Sequence, residues 1–191
     1  MGTSKGERRR QELVTAAAAL LRSGGFDAVR HRAVAERAGL PLASTTYYFS
    51  SLEELIRAAV ERTGRDELAE IREQLAALPD DALGTAELVE LILDHLIGPE
   101  SRDGGLEVAL LRYERLVGAG RRPYLAPLMR QLRDDFDALL GEILARSGRS
   151  LDPVAVRDLV SLIDGAVVSA LIESDPDPRA VGREVLLRTL C

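Results

Sequence analysis

Small, hydroxyl-bearing and aromatic side chains that could contact DNA are concentrated in one stretch of the chain, residues 31–55. Residues 31–38 place apolar side chains on one face of a short helix, and Gly39 can adopt the left-handed conformation that ends it. Pro41 then suits the start of a second short helix over 42–49, because its φ is already close to the helical value. Two short helices joined by a glycine-containing turn predict a helix-turn-helix, whose second helix can enter the major groove.

The second of these helices has a composition that fits close approach to base edges. Residues 43–46 are Ala, Ser, Thr and Thr, whose hydroxyls can bond to phosphates or bases and whose methyl groups can contact thymine. Tyr47, Tyr48 and Phe49 follow, and they cannot all face inward because successive helical residues lie about 100° apart. We expect Phe49 inside, Tyr47 at the surface and Tyr48 partly buried.

A helix before this motif and a long helix after it would hold the pair in place. Residues 7–23 carry apolar side chains at helical spacing, and the glycines at 24–25 stop that helix. Ser51 and Glu54 have the spacing of a capping box, which opens the long helix. The first three helices therefore form a domain over residues 1–50.

The remainder of the chain, residues 51–191, is predicted to be helical throughout, because its apolar residues recur at helical spacing and no segment alternates as a strand would. The predicted fold class is therefore all-α with about nine helices. The predicted helices cover 51–77, 85–97, 106–117, 123–146 and 154–173, with a last one from 178 onward.

The last two predicted helices are apolar around most of their circumference, so they must be covered on two sides. One side is the domain itself, and we expect the other to be a second subunit; burial within the monomer is the alternative. The side chains predicted for this homodimer contact are Leu159, Ile163, Val167, Leu171, Val185 and Leu186.

Charge is distributed unevenly along the chain, whose net charge is −6. Residues 1–50 carry eight Lys or Arg and four Asp or Glu, whereas the rest carries 17 and 27. A basic head on an acidic body fits a small nucleic-acid contact. Lys5 and the arginines at 8–10 could attract phosphates, or they could be an ordinary solvated helix end.

Several other functions find no support in the composition. No apolar run approaches the ~18 residues of a membrane span, and the first residues lack a signal peptide, so we expect a cytoplasmic protein without a membrane partner. One cysteine and two histidines argue against a zinc site, and we expect no metal or cofactor. No nucleophile–base pair or phosphate loop is evident, so no catalytic residue is assigned and a small all-helical enzyme is the least supported alternative.

Residues 8–55 resemble the DNA-binding domain of the TetR/AcrR family of transcriptional regulators. The matching parts are Leu13 to Leu21 with Ala16-Ala17, Gly25-Phe26-Asp27, Val34-Ala35, Ala38-Gly39-Leu40, Tyr47-Tyr48-Phe49, and Ser51 through Leu55. The chain departs from the family pattern where Val29-Arg30 replaces a frequent Thr or Ser and where Thr46 replaces a usual Tyr. Leu52 stands where the family usually has a Lys that meets the DNA backbone.

The resemblance implies a ligand-released repressor that binds double-stranded DNA, at a near-palindromic operator, as a homodimer. It implies an N-terminal three-helix helix-turn-helix domain joined by a long helix to a helical ligand-binding and dimerisation domain. It also implies base contacts from Leu42, Ala43, Ser44 and Thr46, and phosphate contacts from Arg32, Tyr47 and Tyr48.

An apolar or amphipathic small molecule is the ligand that we expect in the helical body. His95, Tyr113 and Phe136 lie on apolar helix faces, and the first two add polar tips that could orient a guest. The alternative is that these three residues are plain core. A protein-interaction module without specific DNA binding is a further alternative for the whole chain, because the family's usual Lys is absent at Leu52.

Overall fold

A computed structural model describes residues 5–78, 83–103 and 106–190. Within these ranges the chain forms nine α-helices and two short 3₁₀ helices, Pro99–Asp103 and Pro123–Leu125, and no strand. The all-α prediction and the predicted order of helices are confirmed. The α-helices are α1 (Lys5–Ala28), α2 (His31–Ala38), α3 (Leu42–Tyr48), α4 (Leu52–Ala77), α5 (Thr85–Ile97), α6 (Leu106–Ala119), α7 (Ala126–Arg146), α8 (Pro153–Ile172) and α9 (Pro178–Leu190).

Residues next to the helix ends determine where α2 ends and where α8 begins. Gly39 closes α2 with φ of 64° and ψ of 29°, a left-handed conformation that costs glycine little. At the start of α8, the Asp152 carboxylate accepts bonds from the Val154 and Ala155 N–H groups, both at 2.9 Å. This is the N-cap predicted from the Asp-Pro pair.

Three local features near helix ends differ from the prediction. Gly24 and Gly25 interrupt α1 with non-helical backbone, as predicted, but a helical turn resumes beyond them and places Phe26 in the core. The first residues of the predicted seventh helix form the 3₁₀ helix Pro123–Leu125 instead. At the start of α4, the Ser51 hydroxyl accepts from the Glu54 N–H at 3.1 Å, but the Glu54 carboxylate bonds to Ser50 rather than to Ser51. These bonds from Ser50 lower the pKa of Glu54.

The chain divides into two compact units that do not follow its linear order. Unit 1 takes the chain up to Asp66 together with Glu114–Met129, and unit 2 takes Glu67–Tyr113 and the chain from Arg130 onward. Helices α4, α6 and α7 therefore contribute residues to both units. This division groups residues by packing, and a functional boundary after residue 50 stays a prediction.

Each unit has its own apolar core. The core of unit 1 includes Leu13, Ala17 and Leu21 of α1, Val34 of α2, Phe49 directly after α3, and Leu55 of α4. In unit 2, helices α5, α7, α8 and α9 bury a larger cluster that includes Leu88, Ile92, Leu140, Ile143, Ile163 and Leu186. Across the described ranges, no helix is both long enough and apolar enough to cross a membrane.

Candidate DNA interface and ligand site

The inward-facing side chains of α3 anchor this short helix in the core of unit 1. Thr45 is fully buried, and its hydroxyl donates to the Leu42 carbonyl at 2.8 Å. Phe49, directly after the helix, is 1% exposed, and the Arg10 guanidinium lies 5.0 Å from the centre of its ring. An arginine over an aromatic face is a favourable cation–π contact. The prediction that Phe49 faces inward is confirmed.

None of the six side chains predicted on α3 for DNA contact is fully buried, and the exposed part of the helix is called its outer face. Tyr47 is 80% exposed and its ring packs edge-on against that of Tyr48, with 4.9 Å between the ring centres. Tyr47 at the surface and Tyr48 partly buried are as predicted. Exposed or half-exposed side chains on the same short helix are Leu42, Ala43, Ser44 and Thr46. Their contact with DNA stays a prediction.

The arginines near this face already have partners within the chain. Arg32, the predicted phosphate contact on α2, pairs with Glu36 at 2.9 Å, and both side chains are exposed. Exposed pairs of this kind contribute about 0–1 kcal/mol, so a phosphate could replace the carboxylate at little cost. Arg30 instead donates to the Asp27 carbonyl at 3.0 Å.

The structure places the predicted dimer residues in the core of unit 2 rather than on its surface. Leu159, Ile163, Val167, Val185 and Leu186 are at most 6% exposed in the single chain, and Leu171 packs partly buried against the same cluster. Their regular spacing marked the inner stripe of α8 and α9, and an inner stripe cannot also meet a partner. The large apolar side chains of α8 and α9 that do face outward are Val154, Leu162, Ile172 and Leu187, at 69%, 53%, 78% and 38% exposure.

Among the predicted ligand residues, Tyr113 takes part in a buried polar contact between α6 and α8. Its hydroxyl donates to Asp164 Oδ1 at 2.9 Å, and Arg133 Nη1 lies 3.7 Å from Asp164 Oδ2. Burial raises the pKa of Asp164, and burial together with the Asp164 charge raises the pKa of Tyr113. The proton therefore stays on Tyr113 at neutral pH.

His95 and Phe136 lie in the same unit. Burial is the largest cause that lowers the pKa of His95 to about 4, with a smaller effect of Arg112, so the imidazole is neutral at pH 7. The backbone carbonyl of His95 accepts from Arg112 Nη2 at 2.7 Å. Phe136 is partly buried and packs against the core of unit 2. All three predicted ligand residues thus belong to unit 2, but the polar residues Arg112 and Asp164 beside them were missed.

One further charged residue in unit 2 was missed. Arg179 of α9 is only 2% exposed, and its guanidinium donates to Glu90 at 2.7 Å, Asp94 at 2.8 Å and the Ser101 hydroxyl at 2.8 Å. Arg183 and Arg179 together lower the pKa of Glu90 to about 2. This cluster holds α9 against α5. In the part of the chain that the structure describes, no group of three or more His, Cys, Asp or Glu residues could hold a metal ion.

Comparisons with known proteins cover both parts of the chain. Residues 13–59 match the family model described as bacterial regulatory proteins, tetR family, and residues 80–190 match the model described as tetracyclin repressor-like, C-terminal domain. The multidrug binding protein EbrR, solved with proflavin, is 32% identical with a TM-score of 0.67 over 94% of this chain and 98% of that chain.

Two other proteins are similar to this chain over most of their length. A member of the TetR family from Streptomyces coelicolor A3 (SCO1917) is 31% identical with a TM-score of 0.61, covering 94% of this chain and 96% of its own. The HTH-type nicotine-responsive transcriptional repressor HdnoR of Paenarthrobacter nicotinovorans is 26% identical over 181 residues, covering 90% of this chain and 87% of the relative.

Proposed function

Because this chain belongs to the TetR family of DNA-binding transcriptional regulators, we propose that it is a homodimeric repressor that a small molecule releases from a near-palindromic operator. The observation that carries this proposal is the outer face of α3, where small and hydroxyl-bearing side chains are exposed while Thr45 and Phe49 are buried. The family is one of regulators, a class distinct from enzymes. Contact with the chromosome would place the protein in the cytoplasm.

Two relatives support a response to small molecules. HdnoR is named as nicotine-responsive, and EbrR was solved with proflavin, with ethidium and with imidazole. In this chain, α4 begins four residues after α3 and continues into unit 2, so it is one of the three shared helices that could transmit a change at a ligand. A ligand that weakens DNA binding about tenfold needs about 1.4 kcal/mol of coupling between the two sites.

Replacing Tyr47 by alanine should weaken binding about tenfold on the operator and on unrelated DNA alike. Tyr47 is exposed at the end of α3, and a phosphate contact from its hydroxyl positions the protein without reading sequence. A hydrogen bond to a charged group contributes about 1.5 kcal/mol or more, which corresponds to about tenfold in affinity. The measurement is a fluorescence-anisotropy titration at one salt concentration, with operator selected from a random DNA pool and with a scrambled duplex.

Tyr47→Phe is the matched control, since it removes the hydroxyl and keeps the ring against Tyr48. It should show most of the loss seen with alanine on both duplexes. A changed sequence preference with unchanged overall affinity would show that Tyr47 reads bases instead. If the wild-type protein shows no salt-dependent binding to a selected duplex or to a promoter duplex, the proposal that it is a DNA-binding regulator is refuted.

Leu162→Arg should weaken the homodimer at least about tenfold while the subunit stays folded, because a charge on an apolar interface opposes association. Leu162 is on the outward face of α8, with Gly165 and Ser169 exposed one and two turns further along. Val167→Arg should instead unfold unit 2, because Val167 is fully buried in its core. Sedimentation velocity at micromolar concentration, combined with circular dichroism, measures both effects.

Ala69→Arg on the exposed side of α4 is the control for this prediction, since it adds the same charge on a helix outside the proposed interface. It should sediment as the wild type does. If Leu162→Arg remains a dimer, the α8–α9 interface is refuted. If the wild-type protein is a monomer at micromolar concentration, the homodimer itself is refuted.

A further inference from the structure

Two buried polar atoms in unit 2 have no hydrogen-bond partner among the described residues. They are Nε2 of His95 on α5 and Nε of Arg112 on α6. Buried polar side-chain atoms are nearly always paired, and an unpaired one costs about 1–3 kcal/mol. The two atoms belong to residues that a hydrogen bond joins, so one polar group of a ligand could satisfy both.

The contacts of Arg112 hold these two residues side by side. Its Nη2 donates to the His95 carbonyl at 2.7 Å, and its Nη1 lies 3.7 Å from Glu67 Oε1. The two ends of the guanidinium are thus engaged by the protein. The Nε–H group, on the nitrogen that joins the guanidinium to the side-chain stem, is a donor that a ligand oxygen could satisfy.

His95 limits the kind of ligand group that fits. Because its imidazole is neutral, with a pKa near 4, the Nε2 atom is either a donor or an acceptor, depending on which ring nitrogen carries the hydrogen. An ether or ester oxygen can only accept, and an ammonium group can only donate. An acidic O–H group suits both atoms, because its oxygen accepts from Arg112 and its hydrogen can be donated to His95.

Asp164 is the competing anchor, and it would favour a cation. Its carboxylate already accepts from the Tyr113 hydroxyl at 2.9 Å and lies 3.7 Å from the Arg133 guanidinium. The protein therefore supplies both a donor and a positive charge to this group. The hydrogen-bonding capacity that remains without a partner belongs to Arg112 Nε and His95 Nε2.

We propose that unit 2 binds an amphipathic phenol, a weak oxygen acid that keeps its O–H hydrogen at neutral pH, through Arg112 Nε and His95 Nε2. This inference rests on the proposed function, a repressor that a small molecule releases from DNA, and it names the chemical class of that small molecule. The apolar body of the ligand would lie against the core of unit 2, where Phe136 is partly buried.

Three naphthalenes of similar size test this inference with the full chain. They are 2-naphthol, 2-methoxynaphthalene and 2-naphthylmethylammonium, which present an acidic O–H group, an acceptor alone and a cation. Isothermal titration calorimetry without DNA should show that 2-naphthol binds at least about tenfold tighter than the other two. The methyl ether cannot donate to His95 Nε2 and the ammonium cannot accept from Arg112 Nε, and one buried polar atom left unsatisfied costs about 1–3 kcal/mol. Equal binding of naphthol and its methyl ether, preference for the ammonium, or no binding of naphthol at millimolar concentration would each overturn the proposal.

His95→Leu is the decisive variant because it removes an unpaired polar atom and should leave the fold intact, as circular dichroism can verify. It should reduce the preference for naphthol over its methyl ether to less than about threefold, and Arg112→Met should do the same. Asp164→Asn is the control and should keep the preference. If His95→Leu is folded and keeps the full preference, the assignment to this pair is wrong.

The same probes separate this inference from the proposed repressor function. If 2-naphthol binds with the expected preference but does not weaken the complex with operator DNA, the ligand site stands and ligand-controlled release fails. If the methyl ether releases DNA as well as naphthol does, ligand control stands and the weak-acid site is overturned.

Discussion

Phe49→Ala should destabilise unit 1 by about 3–5 kcal/mol, the cost of removing a large buried aromatic side chain and leaving a cavity. Phe49 is 1% exposed and directly follows α3, so it anchors the end of the helix that carries the DNA-facing side chains. The substitution also removes the ring beneath the Arg10 guanidinium, which lies 5.0 Å from its centre. DNA binding should be lost together with the fold of unit 1.

Hydrogen exchange followed by mass spectrometry is the suitable measurement, because it reports the opening of each unit separately. Peptides from α1 to α3 should exchange much faster in Phe49→Ala, whereas peptides from α8 and α9 should not change. Tyr47→Ala is the matched control, since Tyr47 is two residues away and 80% exposed, and its stability should change by no more than about 0.5 kcal/mol. Equal protection of α1 to α3 in Phe49→Ala and the wild type would contradict this role.

The helix-turn-helix could be predicted in detail because its signals are local. Gly39 ends α2, and Pro41 precedes α3, so the boundaries of both short helices depend on residues within a few positions. The inward Phe49 and outward Tyr47 follow from helix geometry alone. The return bond of the capping box was predicted one residue too late, since the flexible Glu54 side chain reaches Ser50 equally well.

The surface of α8 could not be predicted because this helix is apolar around most of its circumference. Regular spacing identifies a stripe, but it does not distinguish the stripe that packs inside the subunit from one that meets another molecule. Ile163 and Val167 belong to the first kind, whereas Leu162 and Ile172 are exposed. The tertiary packing of α9 against α8, and of α5 against α9, decides between them.

The polar contacts of unit 2 were missed for a different reason. Tyr113 and Asp164 are 51 positions apart, and Arg179 and Glu90 are 89 positions apart, so no pattern within one helix indicates that they meet. An arginine is also ordinarily an exposed residue, yet Arg179 is buried because two carboxylates and a hydroxyl satisfy it. Asp164 is the one carboxylate within residues 159–172, the apolar stretch of α8, and it was the available signal.

Ala43→Glu tests most directly whether the outer face of α3 binds DNA. Ala43 is exposed on that face, so the substitution should leave unit 1 folded while it places a carboxylate against base edges and phosphates. Like charges in contact cost several kcal/mol, so affinity for the selected operator should fall at least about 100-fold, or about 2.7 kcal/mol. Ala145→Glu on the exposed side of α7 is the control and should bind as the wild type does.

The measurement is an anisotropy titration of the three proteins against one selected operator duplex at one salt concentration, after circular dichroism has shown that all three are folded. A loss of about 100-fold confined to Ala43→Glu is the predicted result. Wild-type affinity in a folded Ala43→Glu protein, or an equal loss in Ala145→Glu, would contradict DNA recognition by α3.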